Sequence, residues 1–377
     1  MPPRTETQII ENRRALLVEW PDGEHHRYHG IWLRDNGQDS ESRDPSSGQK
    51  KFSVTDLELG AEISSSHVGG NRLEIVFSDG TKTWIDLQWL KSNHYDQHAE
   101  GALIEHDKVV WDSDFDPAKV SADFSEVNQS AEGLATWLRW ISTFGFARLT
   151  GVPSQAGALF DVIGLFGFVR ETNYGRLFEV RSTAKPVNLA FTREGLDPHT
   201  DNPYRDPVPT LQILHCIEND SEGGESVVVD GFRSVEILRQ ESPQHFDLLS
   251  RYNASFEYQG DGKSCLRASK PHIELSPEGE LLAVRVNNRS SGALTAIPYD
   301  KVPDFYAACA HLTEITCRAA LAVQFKLEPG ELFIVDNTRV LHGRKEYSET
   351  GSRWFQGAYA DKDSLLSTLR LIESRNT

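Results

Sequence analysis

The sequence predicts a mainly β protein with flanking helices, in which a small β-rich domain precedes a β-sandwich or double-sheet jelly roll. Two stretches near the start, Leu16-Leu-Val-Glu-Trp-Pro-Asp-Gly-Glu-His25 and Leu73-Glu-Ile-Val-Phe-Ser-Asp-Gly-Thr-Lys82, each lead an apolar run into Asp-Gly. That pair tolerates the left-handed backbone a tight hairpin needs. Beyond Pro209, short β-like runs at 210–216, 226–229, 281–286 and 332–335 alternate with Gly and Pro punctuation. Helical spacing stands out in only two long stretches, which places helices outside the strands.

In chain order, residues 8–95 read as the hairpin-rich domain, 96–125 as an acidic connector and 126–372 as the main domain. A helix is expected after Ser130, because Leu134, Trp137, Leu138 and Ile141 recur at helical intervals. Phe144-Gly-Phe-Ala-Arg-Leu-Thr-Gly-Val-Pro153 then reads as a strand entering a turn. A second long helix is expected over 302–325, stopped by Glu328-Pro-Gly330.

Fifty-six acidic residues against 39 basic ones give a formal charge of −17. Such a surface repels nucleic-acid phosphates and anionic membranes, so neither is an expected partner. The charge reads as solubility, with attraction of a cationic substrate as its second meaning. No run approaches the roughly 20 apolar residues of a bilayer span, and the first residues lack the apolar centre of a signal peptide. Four scattered cysteines (Cys216, Cys265, Cys309, Cys317) without a CxxC pair fit a reducing compartment, and a cytoplasmic location is expected.

Chemistry concentrates in Pro198-His-Thr-Asp201. A His and an Asp two apart project to one side of a strand. Chance places His-x-Asp in many chains, so the pair needs a third ligand. His342, in Asn337-Thr-Arg-Val-Leu-His-Gly343, follows the apolar run 332–335, where a strand would deliver it to a barrel mouth. Two imidazoles and one carboxylate hold Fe(II) and leave positions open for oxygen chemistry. Arg353 lies eleven residues further on, and from an adjacent strand its guanidinium fork would suit a carboxylate. No GxGxxG, P-loop or GxSxG pattern supports a nucleotide-binding enzyme or a serine hydrolase.

Taken in that order, His199, Asp201, His342 and Arg353 resemble the Fe(II)- and 2-oxoglutarate-dependent dioxygenases of the taurine dioxygenase superfamily, and within it γ-butyrobetaine hydroxylase and its relatives. The matching stretches are Trp32-Leu-Arg-Asp-Asn36, Gly145-Phe-Ala-Arg-Leu149, His199-Thr-Asp201, Gln212-Ile-Leu-His-Cys-Ile217, Gly223-Gly-Glu225, Val229-Asp-Gly-Phe232, Asn287-Asn288 and Gly357-Ala-Tyr-Ala-Asp361. The resemblance implies a double-stranded β-helix behind an accessory N-terminal domain, in a homodimer. It implies iron on His199, Asp201 and His342, with 2-oxoglutarate chelating the metal and pairing with Arg353. The implied reaction couples decarboxylation of 2-oxoglutarate by O2 to hydroxylation of an unactivated C–H bond.

The family seats a trimethylammonium head among aromatic faces, since such a cation has no N–H to donate. Carried over singly, that seat falls on Tyr174, Phe178, Phe191 and Tyr359, with Phe178 where the human-type enzyme has Trp and Phe191 where it has Tyr. The anionic end of the substrate falls to Asn188, Asn287 and Asn288. Arg289 follows directly, where the animal enzymes carry a small neutral residue. A guanidinium there suits a phosphonate, which tips the expected substrate toward 2-(trimethylammonio)ethylphosphonate; γ-butyrobetaine, giving carnitine, is the alternative. Trimethyllysine, other betaines, or a silent relative that only senses a quaternary ammonium compound are further readings.

One departure concerns the N-terminal domain. Family members often carry three cysteines after Trp-Leu-Arg-Asp-Asn that hold a structural zinc, but here the stretch is Gly37-Gln-Asp-Ser-Glu-Ser-Arg-Asp44, and no cysteine precedes Cys216. Without thiolates no zinc is expected.

Overall fold

Both Asp-Gly turns close hairpins. Gly23 and Gly80 take φ of +91° and +86°, a left-handed conformation open to glycine at no steric cost. The computed structural model describes residues 4–96, 108–181, 194–260, 262–348 and 351–376. Contacts divide the chain into two units, Met1–Leu103 and Ile104–Thr377.

The first unit holds two three-stranded antiparallel sheets, β1 (Glu6–Ile10), β2 (Ala15–Glu19), β3 (His25–His29) and β4 (Ile63–Gly69), β5 (Arg72–Phe77), β6 (Lys82–Asp86). Short helices α1 (Gly30–Asp35) and α2 (Leu87–Ser92) follow β3 and β6. Alternate residues of the strands, among them Leu16, Val18, Leu73, Ile75 and Ile85, meet Tyr28 and Leu33 in one apolar core. The segment after α1 is organised by Asp39. Its carboxylate accepts from the Ser42 hydroxyl (2.8 Å), the backbone N–H groups of Glu41 and Ser42 (3.0 Å each) and the Thr83 hydroxyl of β6. The loop is thus hydrogen-bonded to the sheet.

In the second unit the strands are β7 (Ser121–Asp123), β8 (Phe146–Thr150), β9 (Phe178–Val180), β10 (Leu196–His199), β11 (Leu211–Asn219), β12 (Ser226–Asp230), β13 (Asn253–Tyr258), β14 (Leu266–Pro271), β15 (Ile273–Leu275), β16 (Leu281–Val284), β17 (Ala322–Phe325), β18 (Leu332–Asp336), β19 (Val340–Arg344) and β20 (Arg353–Ala360). The helices are α3 (Phe124–Gln129), α4 (Ala131–Phe144), α5 (Leu159–Gly164), α6 (Gly231–Glu241), α7 (Pro243–Arg251), α8 (Val302–Thr316) and α9 (Lys362–Asn376). Two sheets dominate, ordered β10-β19-β12-β17 and β7-β8-β18-β11-β20-β9. Their facing residues share a core, with Val228, Val323 and Phe325 of one meeting Ile213, Phe333 and Phe355 of the other. This is the double-sheet jelly roll expected from the sequence. Helix α4 begins where Ser130 accepts from the Gly133 N–H, buries Trp137, Leu138 and Ile141, and ends at Gly145 with φ of +80°. No helix among the described residues is long and apolar enough to cross a membrane.

Two expectations need correction. The long helix over 302–325 stops at Thr316, and residues 322–325 form β17 instead. Val323 and Phe325 are buried while Ala322 and Gln324 are less so, a period of two, and the segment pairs with β12. Helix-compatible residues concealed the change of period, and the unpaired edge of β12 decided it. Residues 108–125 are also more than a connector: Trp111 is buried in the core of the second unit, its indole N–H donates to the Phe144 carbonyl (2.7 Å), and β7 lies parallel to β8.

Candidate active site

The strand ladder brings the expected metal ligands together. His199 at the end of β10 is the direct partner of His342 on β19, whose other neighbour is Val228 of β12. Asp201 follows two residues after His199, outside the strand. Its backbone is fixed by Asn337, whose amide oxygen accepts the Asp201 N–H (2.7 Å) and whose amide nitrogen donates to the Asp201 and Pro209 carbonyls (3.0 and 2.9 Å). His199 Nε2 lies 3.5 Å from Asp201 Oδ1 and His342 Nε2 lies 3.6 Å from Asp201 Oδ2. One donor atom from each residue falls within 4.8 Å of the other two, close enough to meet on one ion.

The electrostatics suit a cation. His199 Nδ1 lies 2.8 Å from the Asp197 carbonyl, which can only accept, so Nδ1 carries the proton and Nε2 offers its lone pair. Burial pushes the His199 imidazole down to about 4, against the pull of Asp201. Burial alone would raise Asp201, but His342 and His199 hold it well below the usual carboxylate range. At neutral pH His199 is therefore a neutral imidazole and Asp201 an anionic carboxylate, donors of the kind that, with a second imidazole, bind Fe(II) while leaving positions open.

A cavity of about 490 Å³ opens on the triad between the two large sheets. Arg353 projects into it from the start of β20, stacked on Phe355 at 4.0 Å and near the Tyr347 ring at 5.1 Å. Gly224, with φ of +72°, makes room: a Cβ there would stand 3.3 Å from Arg353 Nε. The Nε and Nη1 atoms of Arg353 are buried without a hydrogen-bond partner among the described residues. Burial, then the neighbouring Arg344, lowers its pKa to about 10. A buried guanidinium with unsatisfied donors is a receptor for a carboxylate, which fits the far end of 2-oxoglutarate.

The aromatic residues form a continuous wall. Phe178 lies 5.2 Å from Tyr359 and 6.4 Å from Tyr174, and Tyr258 continues the wall at 5.8 Å from Tyr174. Tyr204 adjoins Tyr258 at 5.2 Å, and its hydroxyl lies 3.2 Å from that of Tyr174. Asp201 is the sole acidic residue among the described residues lining the cavity.

Of the expected substrate contacts, Tyr174, Phe178, Tyr359, Asn287 and Arg289 line the cavity. Asn188 and Phe191 lie outside the described residues. Asn288 is exposed and does not line the cavity. Asn287 does, yet its amide is engaged with backbone, donating to the Thr200 carbonyl (2.8 Å) and accepting from the Ser290 N–H (3.2 Å). Its observed work is to hold the chain beside Asp201. Sequence reasoning missed Tyr204, Tyr258, Gln212, Ser226 and Arg344, all of which line the cavity. Alternation on β11, β12 and β19 carries the last three inward, a signal available once the strands are placed.

A jelly roll with a two-histidine, one-carboxylate triad opening on a carboxylate receptor defines a non-haem iron oxygenase. The chain belongs to the taurine catabolism dioxygenase TauD, TfdA family, whose model matches residues 112–359, and residues 7–91 match the γ-butyrobetaine hydroxylase-like N-terminal domain. It is 33% identical to the γ-butyrobetaine dioxygenase of Pseudomonas sp. (strain AK-1) over 95% of this chain and 94% of that protein. The human γ-butyrobetaine dioxygenase is 29% identical over 98% and 97%, and the bovine mitochondrial trimethyllysine dioxygenase 30% over 95% and 88%. Among solved structures, asparagine oxygenase with Fe(II), hydroxyasparagine and succinate shares the fold, with a TM-score of 0.50 at 18% identity over 64% of this chain and 93% of that one. The protein is an Fe(II)- and 2-oxoglutarate-dependent dioxygenase.

Proposed function

We propose that the protein hydroxylates γ-butyrobetaine to carnitine, with iron on His199, Asp201 and His342 and 2-oxoglutarate on Arg353. The observation that carries this reading is the make-up of the cavity: an aromatic wall and three guanidinium groups, with one carboxylate that belongs to the triad. A cation without N–H groups binds aromatic faces and needs no carboxylate partner. A cavity of about 490 Å³ falls in the range of small-molecule sites. Near full-length similarity to γ-butyrobetaine dioxygenases favours the carboxylate substrate over the phosphonate that Arg289 suggests.

Iron and 2-oxoglutarate, when bound, supply the oxidation in which O2 converts the keto acid to succinate and CO2 and a substrate C–H becomes C–OH. The chain supplies aim. Its two imidazoles and single carboxylate hold the metal, and Arg353 fixes the far carboxylate of 2-oxoglutarate through its fork. Tyr174, Phe178 and Tyr359 seat the trimethylammonium head and exclude water from that side. Arg289, on the turn Asn288–Ser290 at the cavity edge, faces the anionic end of the substrate.

The test measures succinate and hydroxylated product from iron-loaded protein given 2-oxoglutarate and O2, with γ-butyrobetaine and 2-(trimethylammonio)ethylphosphonate side by side. Equimolar succinate and carnitine from γ-butyrobetaine is the expected result. Turnover of the phosphonate alone, or of neither compound, overturns the assignment.

A further inference from the structure

Asp201 is held from more sides than a metal ligand alone requires. Its Oδ2 accepts from the Tyr359 hydroxyl at 2.8 Å and from the Gln212 amide at 2.5 Å. Gln212 and Tyr359 are direct partners across the β11–β20 ladder, so one cross-strand pair converges on one oxygen. Both are buried, at 3% and 4% exposure, and both line the cavity. Tyr359 also belongs to the aromatic wall through Phe178. The residue that contributes a face to the cation seat is thereby hydrogen-bonded to the carboxylate of the triad.

We propose that Gln212 and Tyr359 are positioning residues for the iron: they saturate Asp201 Oδ2, leave Oδ1 as the single metal donor, and through Tyr359 link the ammonium seat to the metal site. This rests on the iron assignment proposed above. A carboxylate oxygen that already accepts two hydrogen bonds is a poor third donor, so the Asp201 side chain is kept from chelating with both oxygens. One-point attachment preserves the open positions that 2-oxoglutarate and O2 require. Hydrogen-bonding partners of metal ligands typically change metal affinity by about 10–100-fold when removed.

The experiment compares Tyr359→Phe and Gln212→Leu with wild type. Tyr359→Phe keeps the ring and removes one hydroxyl. Fe(II) affinity is measured anaerobically with 2-oxoglutarate present, by the visible band of the metal-bound keto acid. The KM for γ-butyrobetaine and the ratio of succinate to hydroxylated product are measured separately. In Tyr359→Phe, Fe(II) binding weakens about 10-fold, KM for γ-butyrobetaine stays within about twofold because the aromatic face remains, and succinate exceeds product. Gln212→Leu weakens Fe(II) in the same way, with an unchanged thermal midpoint of the metal-free protein showing that it folds. Wild-type Fe(II) affinity in both variants overturns the inference, and a rise in KM alone for Tyr359→Phe reduces that residue to a wall. His199→Ala separates the two levels: if it abolishes Fe(II) binding while the other variants bind normally, only this inference falls. Fe(II) binding that survives His199→Ala overturns the iron assignment as well.

Discussion

The ring of Phe178 fills the space that a side chain on Gly357 would need. The two residues are partners across the β9–β20 ladder, and a Cβ built on Gly357 would stand 2.2 Å from Phe178 Cζ. Only a residue without a side chain leaves room there for the ring beside Tyr359. Gly357→Ala therefore displaces Phe178 from the aromatic wall. One such cation contact is worth about 0.5–2 kcal/mol, so KM for γ-butyrobetaine rises about 10-fold while Fe(II) affinity is unchanged. Steady-state kinetics at saturating 2-oxoglutarate check this; a wild-type KM would remove Phe178 from the seat.

Arg353 carries a charge in a buried place with no ion pair among the described residues. Arg353→Met raises KM for 2-oxoglutarate about 10–100-fold, the loss of a charged hydrogen-bonded pair of about 1.5–3 kcal/mol. The thermal midpoint gives a second readout. 2-Oxoglutarate added to iron-loaded wild type raises it by mass action, and the variant gains less. Equal shifts in both proteins would detach Arg353 from the keto acid.

His215 on β11 is fully buried, and neither ring nitrogen has a hydrogen-bond partner among the described residues. Burial lowers its pKa to about 4. The unfolded chain takes up this proton near pH 6.5 and the folded chain does not, so stability falls as pH drops from about 6.5 toward 4. At pH 5 the loss from this residue is about 2 kcal/mol. His215→Leu is less sensitive to that change, and urea unfolding of the second unit at pH 7 and pH 5 checks it. An identical pH dependence in both proteins would contradict the prediction.

Asp39 organises the loop after α1 in the first unit. Burial alone would raise its pKa, but the Thr83 and Ser42 donors outweigh it and hold the carboxyl below its ordinary value. Because the folded value lies below the unfolded one, this stabilisation is present above about pH 4 and is lost as pH falls through the folded value. Asp39→Ala speeds amide exchange in the loop 37–51 and in β6 by about 10-fold or more, the equivalent of one or two net hydrogen bonds. A chelator leaves the wild-type exchange of these segments unchanged. Slowed or unaltered exchange in the variant would deny Asp39 this role.

Local chemistry made part of the fold and site readable. The Asp-Gly hairpins, Ser130 before its helix and the apolar strand runs announce themselves within a few residues. His199, Asp201, His342 and Arg353 were readable because the His-x-Asp spacing, their order in the chain and the family resemblance constrain them together, although Asp201 lies just beyond the end of β10. What stayed hidden was assembled from distant segments. Tyr258 reaches the wall from β13, and no spacing links it to Tyr174. Asn287 was expected to bind an anion, and no sign in the sequence showed that its amide also donates to the Thr200 carbonyl and accepts from the Ser290 N–H. The strand 322–325 looked helical because its partner, β12, lies about a hundred residues earlier.

The direct pairing of His199 with His342 has a consequence for how this chain can change length. Side chains alternate along a strand, so adding one residue within β19 ahead of His342 turns it to the opposite face, whereas adding two returns it. Spacing between the two histidine ligands is therefore governed by parity inside β10 and β19 and is indifferent to length in the connections beyond Asp201. Insertions and deletions in descendants of this sequence should collect in the connections, and any that enter β10 or β19 should arrive in even numbers or as a bulge.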